Sequence, residues 1–202
     1  MRTMDEWMPA TARKITPADI LSPQDYARER DQLRRDAIAL KKPRRVEAGP
    51  FATFYFENYQ TMWLQVMEML RIEKGGAEQI AGELEAYNPL IPQGDELIAT
   101  LMLEIEDANR RHATLLTLGG IEETVFMEVG GARVAATPTE YDDRTTADGK
   151  TSSVHWLRFK FTPDLIARFK SERVVLGIAH KHYGHMAVLS DETRVALARD
   201  FT

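Results

Sequence analysis

Several stretches of this chain alternate apolar and polar side chains with a period of two. Examples are residues 96–106 and 153–161, and a hairpin is indicated over 123–136 around Gly130-Gly131. Successive side chains of a strand point to opposite faces, so this pattern predicts strands that are buried on one face. Strands and helices do not alternate for long enough to build a doubly wound sheet. We therefore predict an α+β fold with a mixed or largely antiparallel sheet of six to eight strands.

The helical stretch 59–73 begins after the capping residue Asn58 and ends before Gly75-Gly76. Its apolar residues occupy a broad arc and continue outside it, and a helix that is apolar on most sides is usually buried. We therefore expect a buried central helix, with the sheet around it and further helices flanking it. Those further helices are predicted at 22–42, 76–87, 107–118, 162–170 and from 191.

The first 15 residues are polar, contain Pro9 and show no periodicity. We predict that residues 1–15 form a flexible N-terminal arm and that residues 16–202 form a single domain. The chain contains no cysteine. Disulfides, thiolate catalysis and protein-held iron–sulfur clusters are therefore excluded.

Charge is spread unevenly along the chain, whose net charge is −5. Residues 1–45 hold 11 Lys/Arg and 7 Asp/Glu, a net charge of +4, and the remaining 157 residues carry −9. A basic end on an acidic body could face an anionic partner, although acids at helical spacing could also pair with these bases on a solvated surface. No recognisable nucleic-acid module is present, and no apolar run is long enough for a signal peptide or a membrane helix. We expect a cytoplasmic protein that binds neither nucleic acid nor a membrane.

Three of the five histidines, His180, His182 and His185, lie within six residues between two apolar runs. If the runs are strands and Tyr183-Gly184 is the turn, His182 pairs with His185 and all three imidazoles share one face. Three imidazoles that converge in this way can bind Zn, Fe or Mn as divalent ions. His155 lies on the core side of the preceding strand and is a further candidate ligand or supporting group.

Other interpretations of these residues stay open. The histidines could simply be the polar tip of a hairpin, and sequence does not rank the candidate carboxylates Glu57, Glu68, Glu73 and Glu104. No nucleophile motif or dinucleotide-binding glycine pattern is present, so no catalytic residue is assigned and enzymatic activity stays open. Asp148-Gly149-Lys150-Thr151 resembles the end of a phosphate-binding loop, but Arg144 occupies the first glycine position of that motif. There is thus no nucleotide or flavin signature. The polar loop 137–152 is long enough to be a functional lid or a disordered segment.

Several stretches together resemble one bacterial family, catalogued as domain of unknown function 3501. They include Ile15-Thr16-Pro17-Ala18-Asp19-Ile20, Ala52–Asn58, Gln65–Arg71, Glu85-Ala86-Tyr87-Asn88, Arg144–Thr151 and Ser153–Phe159. The resemblance covers nearly the whole chain from about residue 15. The family has no established reaction, and its members are often encoded beside rubrerythrin-like proteins and iron–sulfur oxidoreductases. By association, the resemblance implies a part in peroxide or metal-linked redox physiology.

Two hypotheses of function follow. The first is a metal-binding accessory protein in redox or oxidative-stress physiology, with its site at His180, His182, His185 and His155. The second is a non-catalytic interaction subunit that partners a rubrerythrin-like or iron–sulfur redox protein. In the second hypothesis Trp63, Trp156 and the 137–152 loop would line an interface.

Overall fold

A computed structural model describes residues 12–139 and 144–201 of the chain. Its sheet contains eight strands, and every paired neighbour is antiparallel. The order across the sheet is β1-β2-β3-β6-β5-β4-β7-β8. The strands are β1 (Arg45–Ala48), β2 (Ala52–Glu57), β3 (Glu96–Leu103), β4 (Val125–Val129), β5 (Ala132–Pro138), β6 (Val154–Lys160), β7 (Val174–His180) and β8 (Tyr183–Val188). The α+β class, the antiparallel character and the predicted strand number are confirmed.

The sheet curves until its two end strands, β1 and β8, lie against each other, so that it is nearly a closed barrel. The Tyr183 hydroxyl bridges this seam. It donates to the carbonyl oxygen of Ala48 at 2.8 Å and accepts from the backbone N–H groups of Phe51 and Ala52 at 3.2 and 3.1 Å. A side chain therefore joins the two edges where no ladder of backbone hydrogen bonds does, which protects edges that would otherwise be open to other strands.

Alternate residues of the strands fill the interior of the barrel. In β3, Leu97, Ala99, Leu101 and Leu103 point inward. An eight-stranded barrel encloses just enough room for such side chains. The largest interior residues that are fully buried are aromatic or branched aliphatic, among them Phe54, Phe56, Phe159, Leu97 and Leu101.

Helices cover part of the outer surface of the barrel. They are α1 (Pro23–Lys41), α2 (Tyr59–Glu73), α3 (Gly76–Tyr87), α4 (Ala108–Leu115), α5 (Pro163–Phe169) and α6 (Asp191–Ala198). The first three form a layer with its own apolar core, which includes Ile98 on the outward face of β3. The expectation of a sheet around a buried central helix is not confirmed. The N-terminal half of α2 is buried, but it packs in this outer layer while strand side chains fill the barrel.

Local signals explain why the helices begin and end where they do. The Ser22 side chain caps α1, with Pro23 at the first helical position. Asn58 and Thr61 bond reciprocally at the start of α2, which removes two unpaired N–H groups. The predicted bounds 59–73 and 76–87 are confirmed.

Of the predicted flexible arm, residues 1–11 lie outside the described residues. Within the rest, Ile15 is fully buried, and the Asn88 side chain bonds both its backbone N–H and its carbonyl oxygen, at 2.7 and 3.0 Å. At the other end of the chain, Asp200 is buried against the Arg44 guanidinium. Burial raises the pKa of Asp200, and the charge of Arg44 opposes that rise. In the ranges 12–139 and 144–201, no helix combines the length and the apolar character needed to cross a membrane.

Candidate functional site

The histidine hairpin has a different register from the one predicted. The turn is Lys181-His182, so His180 pairs with Tyr183 and His185 pairs with Ile178. The predicted turn at Tyr183-Gly184 is wrong because Tyr183 lies in β8, where its hydroxyl reaches the barrel seam. His182 therefore lies in an exposed turn instead of facing His185 across the strands.

His180 is buried, and its ring bonds one residue of the turn and one residue distant in sequence. Its Nδ1 accepts from the backbone N–H of His182 at 3.3 Å, and its ring also bonds the backbone of Gly119. Burial lowers the pKa of His180, with a smaller opposing contribution from the Gly119 bond. These bonds fix the hairpin to the segment that precedes β4.

His185 contributes to the packing at the seam. Its ring lies 4.5 Å from the ring of Tyr183, and it covers Gly49 so closely that a Cβ there would approach its Cγ to 2.5 Å. Gly49 also has a φ of +82°, a conformation that favours glycine. His185 thus helps to close the barrel.

His155 has a buried ring nitrogen, Nδ1, without a hydrogen-bond partner among the described residues. It points from β6 into one end of the barrel and is 1% exposed. Its Nε2 lies 3.0 Å from the carbonyl oxygen of Ser152 and 3.3 Å from the Thr151 hydroxyl. Burial lowers the pKa of His155, and the nearby Glu122 carboxylate partly offsets this.

Glu122 faces His155 from the short 3-10 turn Ile121–Thr124. Its Oε2 lies 3.7 Å from His155 Nδ1, and both atoms are buried without a hydrogen-bond partner in the described part of the chain. Glu122 was not among the predicted site residues, because no local sequence signal distinguishes it from its neighbour Glu123. Across the described ranges, no group of three or more His, Asp or Glu side chains could hold a metal ion.

The four carboxylates proposed as additional ligands are each bonded elsewhere. Glu57 accepts from Thr61 and Thr100. Glu68 accepts from Tyr26 and Arg30, and Glu73 accepts from Gln79. Glu104 accepts from Thr53 and Tyr55. Of these four carboxylates, Glu68 has the most strongly shifted pKa, and its bonds join α2 to α1. Its hydrogen bonds to Arg30, above all, lower its pKa to about 2.

The second half of the polar loop, residues 144–152, makes defined contacts with itself and with α4. Thr145 and Thr151 pair as an isolated bridge, and the backbone N–H of Thr151 donates to the carbonyl oxygen of Leu115. The Arg144 guanidinium stacks over the half-buried ring of Trp156. Trp63, by contrast, is buried among the helices, where its Nε1 donates to the carbonyl oxygen of Asp19.

A groove of about 730 Å³ lies outside the barrel, between the segment 13–17 and helix α3. Its apolar lining includes Ile15, Leu84 and Ile91, and its charged lining residues are Arg13, Lys14, Glu85 and Arg158. No local sequence pattern indicates this groove. Its two walls are 73 residues apart where Ile15 meets Asn88, and only tertiary packing brings them together.

Two amide side chains set the position of the groove wall. Asn88 holds the backbone of Ile15, and Gln93 donates to the carbonyl oxygen of Arg13 at 2.9 Å. The guanidinium of Arg13 reaches the carbonyl oxygens of Pro92 and Asp200, both at 3.1 Å. The backbone polar groups of the wall are therefore satisfied without a ligand, so the groove is already formed.

Comparisons with known proteins assign no activity. A family model described as "Protein of unknown function (DUF3501)" matches residues 14–201. A crystal structure of a novel protein of unknown function from Burkholderia pseudomallei K96243, at 1.90 Å resolution, is similar to this chain with 36% sequence identity and a TM-score of 0.86. The match covers 94% of this chain and 100% of that one. No curated protein matches the chain.

Proposed function

This chain belongs to the DUF3501 family of proteins of unknown function, and on that premise we propose that it is a non-catalytic binding protein. Its groove between segment 13–17 and α3 takes an acidic polypeptide segment that also carries apolar side chains. The observation that supports this most directly is a preformed groove with an apolar floor and three cationic lining residues.

The size and the rigidity of the groove suit such a ligand. Ligand sites commonly occupy ~300–1,000 Å³, and the groove volume of about 730 Å³ lies within that range. Because Asn88 and Gln93 already order the wall, little conformational entropy is lost when the groove is filled.

Charge selects the chemistry of the partner. Arg13, Lys14 and Arg158 line the groove, against the single acid Glu85. Residues 46–202 carry a net charge of −9. An acidic partner is therefore repelled from most of the body and attracted to this end, which steers its approach.

The chemistry of the lining favours binding over catalysis. Among the described residues that line the groove there is no histidine, serine or cysteine, and the only acid is the exposed Glu85. The one hydroxyl of the lining, that of Thr16, already donates to Asp19 Oδ2 at 2.7 Å in an exposed turn. The lining therefore suits recognition better than covalent catalysis, which needs a nucleophile activated towards a bound substrate. The family resemblance implies a redox role, and we propose that the partner is an acidic segment of a rubrerythrin-like or iron–sulfur protein.

Fluorescence anisotropy with labelled decapeptides tests the proposal. We expect an alternating Glu/Leu peptide to bind at least roughly tenfold more tightly than an alternating Lys/Leu peptide, a difference of about 1.4 kcal/mol. Ala81 is an exposed groove residue on α3, so Ala81→Trp should fill the groove and abolish binding.

Ala86 provides a matched control, because it is exposed on the same helix and does not line the groove. Ala86→Trp should bind the acidic peptide as the wild type does. Equal binding by the Ala81→Trp variant and the wild type, or no preference between the two peptides, would overturn the proposal.

A further inference from the structure

We propose that Arg158 is the groove residue that recognises the carboxylate of the partner, and that the buried Glu96 is its positioning residue. This inference rests on the proposed function and assigns the selectivity of the groove to one guanidinium. The groove should then distinguish a carboxylate side chain from an amide of the same shape, beyond a general attraction to negative charge.

The three cationic residues that line the groove differ in what holds their side chains. The Arg13 guanidinium donates to the carbonyl oxygens of Pro92 and Asp200, so it helps to build the wall. Lys14 is exposed, and a flexible lysine loses much of its conformational freedom when a ligand fixes it. Arg158 is both partly exposed and anchored, which makes it the best prepared of the three to bind a ligand selectively.

Arg158 projects from the outward face of β6, where it pairs with Ile98 of β3. Its Nη2 donates to the carbonyl oxygen of Pro89 at 3.1 Å, and its side chain is 35% exposed. No described residue accepts a hydrogen bond from Nη1. A carboxylate in the groove can therefore bind the Nη end of the guanidinium, whose planar fork matches two carboxylate oxygens.

Glu96, the first residue of β3, is the buried neighbour of Arg158 and is 1% exposed. Its Oε2 lies 3.5 Å from Arg158 Nε and 3.1 Å from Lys160 Nζ, and the same ammonium also pairs with Asp95. Its Oε1 accepts from the backbone N–H of Gln93 at 3.3 Å, which fixes the carboxylate. Arg158 Nε is buried without a hydrogen-bond partner in the described part of the chain, so Glu96 orients it through charge and a ligand can bind the Nη groups.

The negative charge of Glu96 separates a positioning role from a simple effect of charge. Glu96 places a carboxylate 3.5 Å from a groove cation, so charge alone predicts that its removal tightens the binding of an acidic peptide. Positioning predicts the opposite result. Without the carboxylate, the Arg158 guanidinium can turn away from the orientation that suits the ligand, and this lost order weakens binding.

Fluorescence anisotropy of the full chain with alternating Glu/Leu and alternating Gln/Leu decapeptides tests the assignment. Arg158→Lys keeps the charge but loses the fork, so it should bind the Glu/Leu peptide at least roughly fivefold more weakly than the wild type does. Its affinity for the Gln/Leu peptide should stay unchanged, because that peptide offers no carboxylate side chain. Lys14→Arg is the matched control and should bind both peptides as the wild type does.

Glu96→Gln should weaken Glu/Leu binding at least roughly threefold and leave Gln/Leu binding unchanged. Tighter Glu/Leu binding, or equal losses for the two peptides, would overturn the positioning role of Glu96. Wild-type affinity of Arg158→Lys for the Glu/Leu peptide, with binding still abolished by Ala81→Trp, would overturn the assignment of Arg158 and leave the proposed function intact. Equal binding by Ala81→Trp and the wild type would overturn the proposed function and this inference with it.

Discussion

The barrel and the outer helical layer use apolar side chains in different ways. The barrel closes on itself, and strand residues such as Phe54 and Leu101 fill its interior. The layer of α1, α2 and α3 packs against one side of the barrel and leaves the groove beside segment 13–17 open. In the proposed function, the barrel is a scaffold and the helical layer outside it carries the binding surface.

A core substitution in the barrel should have the largest effect. Phe54 is completely buried, so Phe54→Ala should reduce the free energy of unfolding by about 3–5 kcal/mol through lost packing and a cavity. The groove substitution Ala81→Trp should change it by less than about 0.5 kcal/mol, because Ala81 is exposed. Urea unfolding measures both. Similar losses in the two variants would contradict the division into scaffold and binding layer.

Acid should weaken the helical layer selectively. Hydrogen bonds from Arg30, above all, and from Tyr26 hold the pKa of Glu68 at about 2, below the ordinary glutamate value of 4.5. A depressed carboxyl pKa contributes stability above pH 4.5, and that stability is lost as the pH falls towards 2. We expect a loss on the order of 2 kcal/mol.

Hydrogen exchange measured between pH 5 and pH 2.5 should show this loss first in α1 and α2 and later in β3. Glu68→Gln is the control, and it should flatten the pH dependence. If the amides of the barrel open first, Glu68 does not hold the layer in place.

The wall of the groove should depend on Asn88. Asn88→Ala removes two hydrogen bonds from the backbone of Ile15 and should cost about 1–2 kcal/mol of stability. Because the wall is then released, acidic-peptide binding should also weaken. Asn109→Ala, at an exposed position on α4, should affect neither thermal unfolding nor anisotropy. Unchanged peptide affinity in the Asn88→Ala variant would show that wall order is irrelevant to binding.

The smallest expected effect is electrostatic. Lys14 is exposed beside the groove, and Lys14→Glu should weaken acidic-peptide binding by roughly three- to tenfold at low salt, with less difference at ~0.5 M salt. Lys170→Glu reverses the same charge at an exposed site outside the groove and should change the affinity little. Titrations at two ionic strengths would distinguish the variants, and equal losses in both would mean that only net charge matters.

Sequence patterns predicted the elements better than their assembly. The bounds of α2 and α3 are local properties, set by the Asn58 cap and the glycines at 75 and 76, and they are confirmed. The closure of the barrel depends on Tyr183 meeting Ala48, 135 residues away. No local pattern indicates that contact. The same contact places Tyr183 in β8, so the turn is Lys181-His182 and not Tyr183-Gly184 as predicted.

The candidate sites show the same limit. The hairpin register places His185 opposite Ile178 and His182 in the turn, where its ring lies 5.8 Å from that of His180. His155 and Glu122 come from different elements and meet because β6 and the 121–124 turn reach the same end of the barrel. The alternation of β6 correctly indicated that His155 faces the core, but its partner acid could be identified only from the fold.

Chemical-shift mapping with the Glu/Leu decapeptide tests the central claim most directly. In ¹H–¹⁵N spectra of the whole chain, we expect saturable shifts at residues 13–16 and 84–88, with the amides of β4 and β7 unchanged. Shifts that are confined to the strands of the barrel, or that spread evenly over the surface without saturation, would contradict a binding site in the groove.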